Sequence, residues 1–394
     1  MKGLPRLLYH RWQHHLLTLA LLLFVSLFVA VAQVPSIKID EKKTAQLSAM
    51  IHRSFPQKIS ILHLGDSHLQ AGFLPEAIRT TLAQELPLEG PGLVIPYELA
   101  RTNGPRSYQI QSSVKWNSEK LFIKRPPLQV GVSGMILSKT DNSPYTFTIG
   151  SNARPFDQLI VYRTPSTPSL VPSIGSATLI VGQKRIGNFV ADTLLYPTKQ
   201  RRIFLRNEQT PTQGATYGGF VLLKQKQSIE YHVIGINGAM FSTFIHEGFI
   251  HQTSWVHPTH IVLSFGTNEA QAREINRGGF EQQVMQLIRL LRKQHPKATF
   301  LLTTPPPSFR RNRAYNDQIE VVSEVLRQIA VRENLELFDM YEALGCEEGA
   351  YNRRQKEITM PTTACIFRPM GIHTKVNSLA KPYLTFYSKT SHPY

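Results

Sequence analysis

Ile59-Ser-Ile-Leu-His-Leu-Gly-Asp-Ser67-His68-Leu-Gln-Ala-Gly-Phe-Leu74 is the stretch that decides the fold. Ile59 to Leu64 is an apolar run of strand length, and Leu74, Ile78 and Leu82 recur at a spacing of four, which is one face of a helix. A strand that runs into a helix is one βα unit. The turn between them lies at the carboxyl end of the strand, where open α/β sheets hold their ligands. Gly65-Asp66-Ser67-His68 occupies that turn. A serine there directs its hydroxyl into a crevice, and its own N–H, at a helix start, faces the place where an oxyanion forms. Asp66 and Ser67 are also favoured helix N-caps, so the tetrapeptide alone does not separate a chemical role from a capping one.

Working outward, the pattern changes between Asn103 and Glu230 to short β-branched runs punctuated by Gly, Pro, Ser and Asn. Leu159 to Tyr162, Ala177 to Val181 and Gly219 to Leu223 read as strands of an antiparallel sandwich. Strand-helix alternation then resumes. Ile261 to Phe265, Phe300 to Thr303 and Leu335 to Phe338 read as strands; Val284, Leu287, Ile288 and Leu291 form one helical face, and Ile319, Val322, Leu326 and Ile329 another. The α/β domain is therefore expected in two pieces, 36–102 and 231–394, around a β-rich insert at 103–230.

The N-terminus speaks to compartment. Lys2, Arg6 and Arg11 precede an uncharged apolar run from Leu16 to Ala32, the order of a basic segment followed by a hydrophobic export segment. Ala30-Val31-Ala32 offers a small-x-small cleavage signal, so residues 1–35 fit both a signal peptide and an uncleaved inner-membrane anchor. Either outcome places the remainder outside the cytoplasm, in the periplasm or another extracytoplasmic space. The formal net charge of +17 favours polyanionic partners, but the basic residues are scattered without a nucleic-acid-binding signature, and no nucleic-acid partner is expected. The two cysteines, Cys346 and Cys365, leave a disulfide and two free thiols equally open. No metal-binding spacing occurs among the fourteen histidines, and no cofactor is expected.

Two further loops open on the same sheet edge. Val233-Ile-Gly-Ile-Asn237-Gly238-Ala239 ends a strand with a glycine that permits close backbone approach, and Phe265-Gly-Thr-Asn268-Glu269 follows the next strand with an amide donor. Each also suits an ordinary turn. The three loops in this order resemble the SGNH or GDSL-like hydrolase superfamily. The resemblance implies an α/β three-layer sandwich with a parallel sheet, Ser67 as nucleophile, and an oxyanion hole formed by the Ser67 N–H, the Gly238 N–H and the Asn268 side chain. Gly235, three residues earlier, competes with Gly238 for its role. Leu64 to Gly72, Thr102-Asn-Gly-Pro105 and Phe338-Asp-Met-Tyr-Glu-Ala343 are similar to the branch containing peptidoglycan O-acetylesterases. That branch implies that the insert is a β-sandwich resembling a carbohydrate-binding module, and that the substrate is an O-acyl, expected O-acetyl, group on an envelope polysaccharide.

The last block departs from the pattern. The superfamily ends in Asp-x-x-His, whereas this chain has Met370-Gly-Ile-His373. His373 fits the general base, but a methionine cannot accept a hydrogen bond from an imidazolium as a carboxylate does. A Ser-His dyad and a shift of reading frame in the tail are the two explanations, since Lys375 to Tyr394 shows neither the usual glycine nor a closing amphipathic helix. Asp339 and the Glu347-Glu348 pair are the other carboxylates in this third of the chain. The rival classes are an impaired glycan-binding protein and a glycan O-acetyltransferase.

Overall fold

A computed structural model describes residues 59–85, 88–121, 130–225, 229–310 and 314–358. Residues 1–35, where an export segment is expected, and Cys365, Met370 and His373 lie outside them. Among the described residues no helix is long and apolar enough to cross a membrane. Two compact units share these residues: the larger takes in 59–264 and 278–300, the smaller 265–277 and 301–358.

The strands in chain order are β1 (Ile59–Gly65), β2 (Gly92–Val94), β3 (Tyr108–Ser112), β4 (Asn117–Lys120), β5 (Met135–Lys139), β6 (Thr146–Ser151), β7 (Phe156–Arg163) and β8 (Leu170–Pro172). They continue as β9 (Thr178–Ile186), β10 (Phe189–Gln200), β11 (Arg202–Asn207), β12 (Ala215–Leu223), β13 (Ile229–Gly235), β14 (His260–Ser264), β15 (Thr299–Thr303) and β16 (Glu336–Phe338). The helices are α1 (Ser67–Gln70), α2 (Phe73–Glu85), α3 (Glu247–Gln252), α4 (Arg277–Gln294), α5 (Gln318–Arg332), α6 (Met340–Ala343) and α7 (Cys346–Ile358).

In the larger unit β1 lies between β13 and β14, parallel to both, with Gly65 level with Gly235 on one side and Ser264 on the other. Every residue of β1 is buried. A strand covered on both faces needs a continuous apolar run, which is why Ile59 to Leu64 does not alternate. The exceptions are Ser60, whose hydroxyl donates to the Val256 carbonyl at 2.9 Å, and His63, which lies 2.7 Å through Nδ1 from the Tyr231 hydroxyl and 2.6 Å through Nε2 from Ser264 Oγ. These neighbours satisfy both ring nitrogens of a buried imidazole.

The single helix expected after β1 is two. Gly72, at φ +82°, ends α1, and a Cβ there would stand 2.2 Å from Pro105 Cβ, so the chain breaks and restarts as α2. Of the face read at a spacing of four on α2, Leu74 and Leu82 are buried and Ile78 between them is half-buried.

Between β1 and β13 the chain builds two antiparallel sheets. One runs β4-β5-β12-β7-β10-β9 with β2 also on β12; the other runs β3-β6-β11-β8. Strand β2 joins this structure although it precedes Asn103. The two sheets share an apolar core that includes Trp116, Tyr145, Phe147, Phe156, Tyr217 and Phe220. Trp116 stacks on Phe147 at 5.2 Å, and Tyr145 meets Tyr217 edge to face, the offset and edge arrangements that aromatic quadrupoles favour.

In the smaller unit Leu301 to Thr303 of β15 pair in parallel with β16. Helix α5 buries Ile319, Val322, Leu326 and Ile329, the face read from the sequence.

Burial pushes the His63 imidazole down to about 3. The folded chain thus binds a proton less readily than the unfolded one. The stability this neutral histidine supports is complete above its ordinary pKa of 6.5 and is lost as pH falls from there towards 3, by at most about 1.4 kcal/mol per pH unit. Denaturant titrations between pH 7 and 4 are expected to show a shallower acid slope for His63→Gln than for the native chain.

Candidate active site

Asp66 follows β1 and caps α1. Its backbone is extended (φ −97°, ψ −150°), and its carboxylate accepts the His68 N–H at 2.9 Å. The capping role is thus taken by Asp66, which leaves Ser67 as the first residue of α1, half-buried and with its hydroxyl unused for capping. Among the described residues neither the Ser67 hydroxyl nor its N–H has a hydrogen-bond partner. A serine so placed has the position of a nucleophile, and becomes one when a base removes its proton.

His68 follows the serine. Its Nδ1 lies 2.8 Å from Asp66 Oδ1. Burial pushes the His68 pKa down, but the Asp66 charge and hydrogen bond outweigh that and hold it above its ordinary value. This carboxylate–imidazole pair was not legible beforehand, since the sequence shows only that the two residues flank a serine.

Gly235 and Gly238, which compete in the sequence for one role, differ in their surroundings. A Cβ on Gly235 would stand 2.2 Å from the Gln70 nitrogen and 2.6 Å from the Leu69 carbonyl carbon, so this glycine exists to let α1 lie against the end of β13. Gly238 has a positive φ of 75° and open space around it. Its N–H, like that of Ser67, has no acceptor among the described residues. Ser67 lies two residues past Gly65 and Gly238 three past Gly235, and those two glycines are level across the paired strands. Both amides therefore open from the same carboxyl edge.

A polar clamp holds that edge. The Gln70 side chain accepts the Asn237 N–H through Oε1 at 2.7 Å and donates through Nε2 to the Asn103 carbonyl at 2.7 Å and to Thr102 Oγ1 at 3.0 Å. Asn237 Nδ2 donates to Asn103 Oδ1 at 2.7 Å. Thr102-Asn103, noted in the sequence only as a family string, thus ties α1 to the loop carrying Gly238. Gln70 is 1% exposed, and a buried amide with both ends satisfied fixes a loop more tightly than an exposed one.

Asn268 belongs to the smaller unit, on the loop that leaves β14, where it precedes a 3-10 turn over Glu269–Gln271. The Glu269 carboxylate accepts the Gly266 N–H at 3.1 Å, and the buried Asn316 donates to the Ala270 carbonyl at 2.9 Å. These bonds brace both sides of Asn268. Asp339 is committed elsewhere: it caps α6, accepts from Thr304 Oγ1 at 2.9 Å, and pairs with Arg327 at 2.5 Å. Burial raises its pKa, but Arg327 and the other donors bring it below its ordinary value, so its oxygens serve local structure. Glu347 and Glu348 lie in the first turn of α7, where negative charge complements the helix dipole. Among the described residues no group of three or more His, Cys, Asp or Glu side chains is arranged to hold a metal ion.

Residues 208–357 match the family described as GDSL-like Lipase/Acylhydrolase. The match includes β13, β14 and the Asn268 loop but starts downstream of Ser67. The pairing of β1 with both β13 and β14 is what joins Ser67 to it. A solved structure of a peptidoglycan O-acetylesterase aligns over 88% of this chain and 95% of its own, with a TM-score of 0.63 at 18% identity. At that identity the likeness is one of fold. A GDSL-like lipase from Bacteroides thetaiotaomicron aligns over 40% of this chain and 76% of its own, at 15% identity and a TM-score of 0.29. A family two carbohydrate esterase from Clostridium thermocellum aligns over 54% and 87%, at 12% identity and a TM-score of 0.26. Scores this low add nothing to the argument. Comparison with curated proteins gave no match.

Removing the clamp is expected to free the loop. In Gln70→Ala the Asn237 amide should exchange with solvent at least about tenfold faster than in the native chain, since loss of one buried acceptor costs about 1–3 kcal/mol locally. Hydrogen exchange read by mass spectrometry or NMR checks this.

Proposed function

Because the chain belongs to the SGNH/GDSL-like hydrolase superfamily, in a branch that resembles peptidoglycan O-acetylesterases, we propose that it is an exported serine esterase. Its substrate is an O-acetyl group on an envelope polysaccharide such as peptidoglycan, met in the periplasm or at the outer face of the inner membrane. The observation that carries the reading is Ser67: a serine at the carboxyl end of β1, relieved of capping by Asp66, with hydroxyl and amide both unpartnered among the described residues.

The chemistry is acyl transfer in two steps. Ser67 Oγ attacks the ester carbonyl while the His373 imidazole takes its proton. The bond to the sugar oxygen breaks as that proton passes to the sugar, leaving acetyl-Ser67. Water attacks the acyl carbon, gives a proton to His373, and acetate leaves as Ser67 recovers its hydroxyl. The Ser67 and Gly238 amides and the Asn268 side chain stabilise the oxyanion in both steps. The sheets at 103–230 act as a carbohydrate-binding module, and residues 1–35 export the chain or hold it to the membrane.

Met370 favours a second form of this reading. With methionine where the superfamily has an aspartate, His373 acts without an orienting carboxylate, and loss of that group lowers turnover by about 10⁴ in a serine triad. At the limit the chain is a glycan-binding protein with a disabled triad.

Hydrolysis of a chromogenic acetate ester tests both forms. Ser67→Ala is expected to abolish turnover, Asn268→Ala to lower it by about 10² to 10³, and Met370→Asp to raise it. Equal rates in the native chain and Ser67→Ala would refute the esterase.

A further inference from the structure

The sheet β3-β6-β11-β8 has one face in the sandwich core and one in solvent. Ile110, Ile149 and Ile203 stand level across three of its strands, all buried, with Phe147 and Leu205 beside them. Alternation along each strand sends the intervening residues outward. On β11 these are Arg202, Phe204 and Arg206; Phe204 is 40% exposed, a rare position for a large aromatic ring among the described residues. The pairing sets Phe204 level with Thr148 and Gln111, and Arg202 level with Gly150 and Gln109. Gly150 leaves a gap on this face. A Cβ there would lie 3.7 Å from Arg202 Nε, so the arginine lies across the space that the glycine leaves. The side chains of Arg202 and Arg206 make no hydrogen bond or ion pair with any described residue.

We propose that this outward face is a docking surface for a glycan strand bearing carboxylate groups, with Phe204 under a sugar ring, Arg202 and Arg206 on its carboxylates, and Gln109 and Gln111 on its hydroxyls. Each part follows from the chemistry. An aromatic face packs against the C–H side of a pyranose. Amide side chains both donate and accept, as hydroxyl groups require. An arginine fork matches a carboxylate in two hydrogen bonds. The rows named carry no acidic side chain, so the face is complementary to an anionic partner. Outward positions on one strand are about 7 Å apart, so Arg202 to Arg206 spans about 13 Å, enough to lie under more than one ring. A single ring flanked by amides on a flat sheet suits a saccharide better than a nucleic acid, whose binders line a groove with successive aromatics. The choice of an envelope polymer as the strand rests on the esterase reading; the face itself does not.

The test is cosedimentation of the full chain with purified peptidoglycan sacculi, with sacculi whose carboxyl groups have been amidated, and with cellulose. Phe204→Ala and the double variant Arg202→Gln/Arg206→Gln are each expected to weaken retention on untreated sacculi about tenfold. The native chain should bind amidated sacculi and cellulose as weakly as the double variant binds untreated ones. Turnover of a small soluble acetate ester should stay within about twofold of native in all of these variants, because none touches the Ser67 edge. Native-like retention of the variants, equal retention on amidated sacculi, or displacement by single-stranded DNA at matched charge would overturn the proposal. Absent small-ester turnover alongside carboxylate-dependent retention would instead count against the esterase and leave the docking face standing.

Discussion

The Ser67 edge of the candidate site depends on how closely the backbone of α1 approaches the end of β13. A helix that starts directly after β1 has to lie over a neighbouring strand, and here the Leu69 and Gln70 backbone rests where any side chain at position 235 would stand. Gly235 admits that contact, and once it is made Gln70 reaches both the Asn237 amide and the Thr102-Asn103 segment. Ser67 and Gly238 then face the same edge because their strands are in register, not because either loop is rigid by itself.

The division of labour within Gly65-Asp66-Ser67-His68 follows from one hydrogen bond. A helix start needs an acceptor for its first amides. Asp66 supplies it, with the chain extended at that residue, and the serine next in line keeps its hydroxyl for other use. The same carboxylate holds His68 twice, through its N–H and through Nδ1, so one buried acid fixes the residue that follows the serine. Glu269 does a similar service in the smaller unit by closing the Gly266 turn ahead of Asn268.

The two antiparallel sheets between β1 and β13 obey a different rule. In the β3-β6-β11-β8 sheet, β11 alternates, with Ile203 and Leu205 inward and Arg202, Phe204 and Arg206 outward, so one face of that sheet is free to carry charge. The outward arginines of β11 and its single exposed ring are affordable there because they cost the core nothing.

What the sequence determined by itself was whatever rests on local periodicity. The apolar run of β1, the helical faces of α2, α4 and α5, the strands within 159–223, and the position of Ser67 after a strand all follow from spacing that neighbouring residues impose on each other. Resemblance in three short loops was enough to point to the superfamily. Only the tertiary structure decided what depends on residues distant in the chain. Gly235 and Gly238 are indistinguishable as letters, and they separate only when α1 is seen to occupy the space beside one of them. Gln70 finds its partners 32 to 167 residues away, and Asp339 is drawn to Arg327 and Thr304 across 12 and 35 residues. Such contacts are set by packing and register, and no local pattern encodes them.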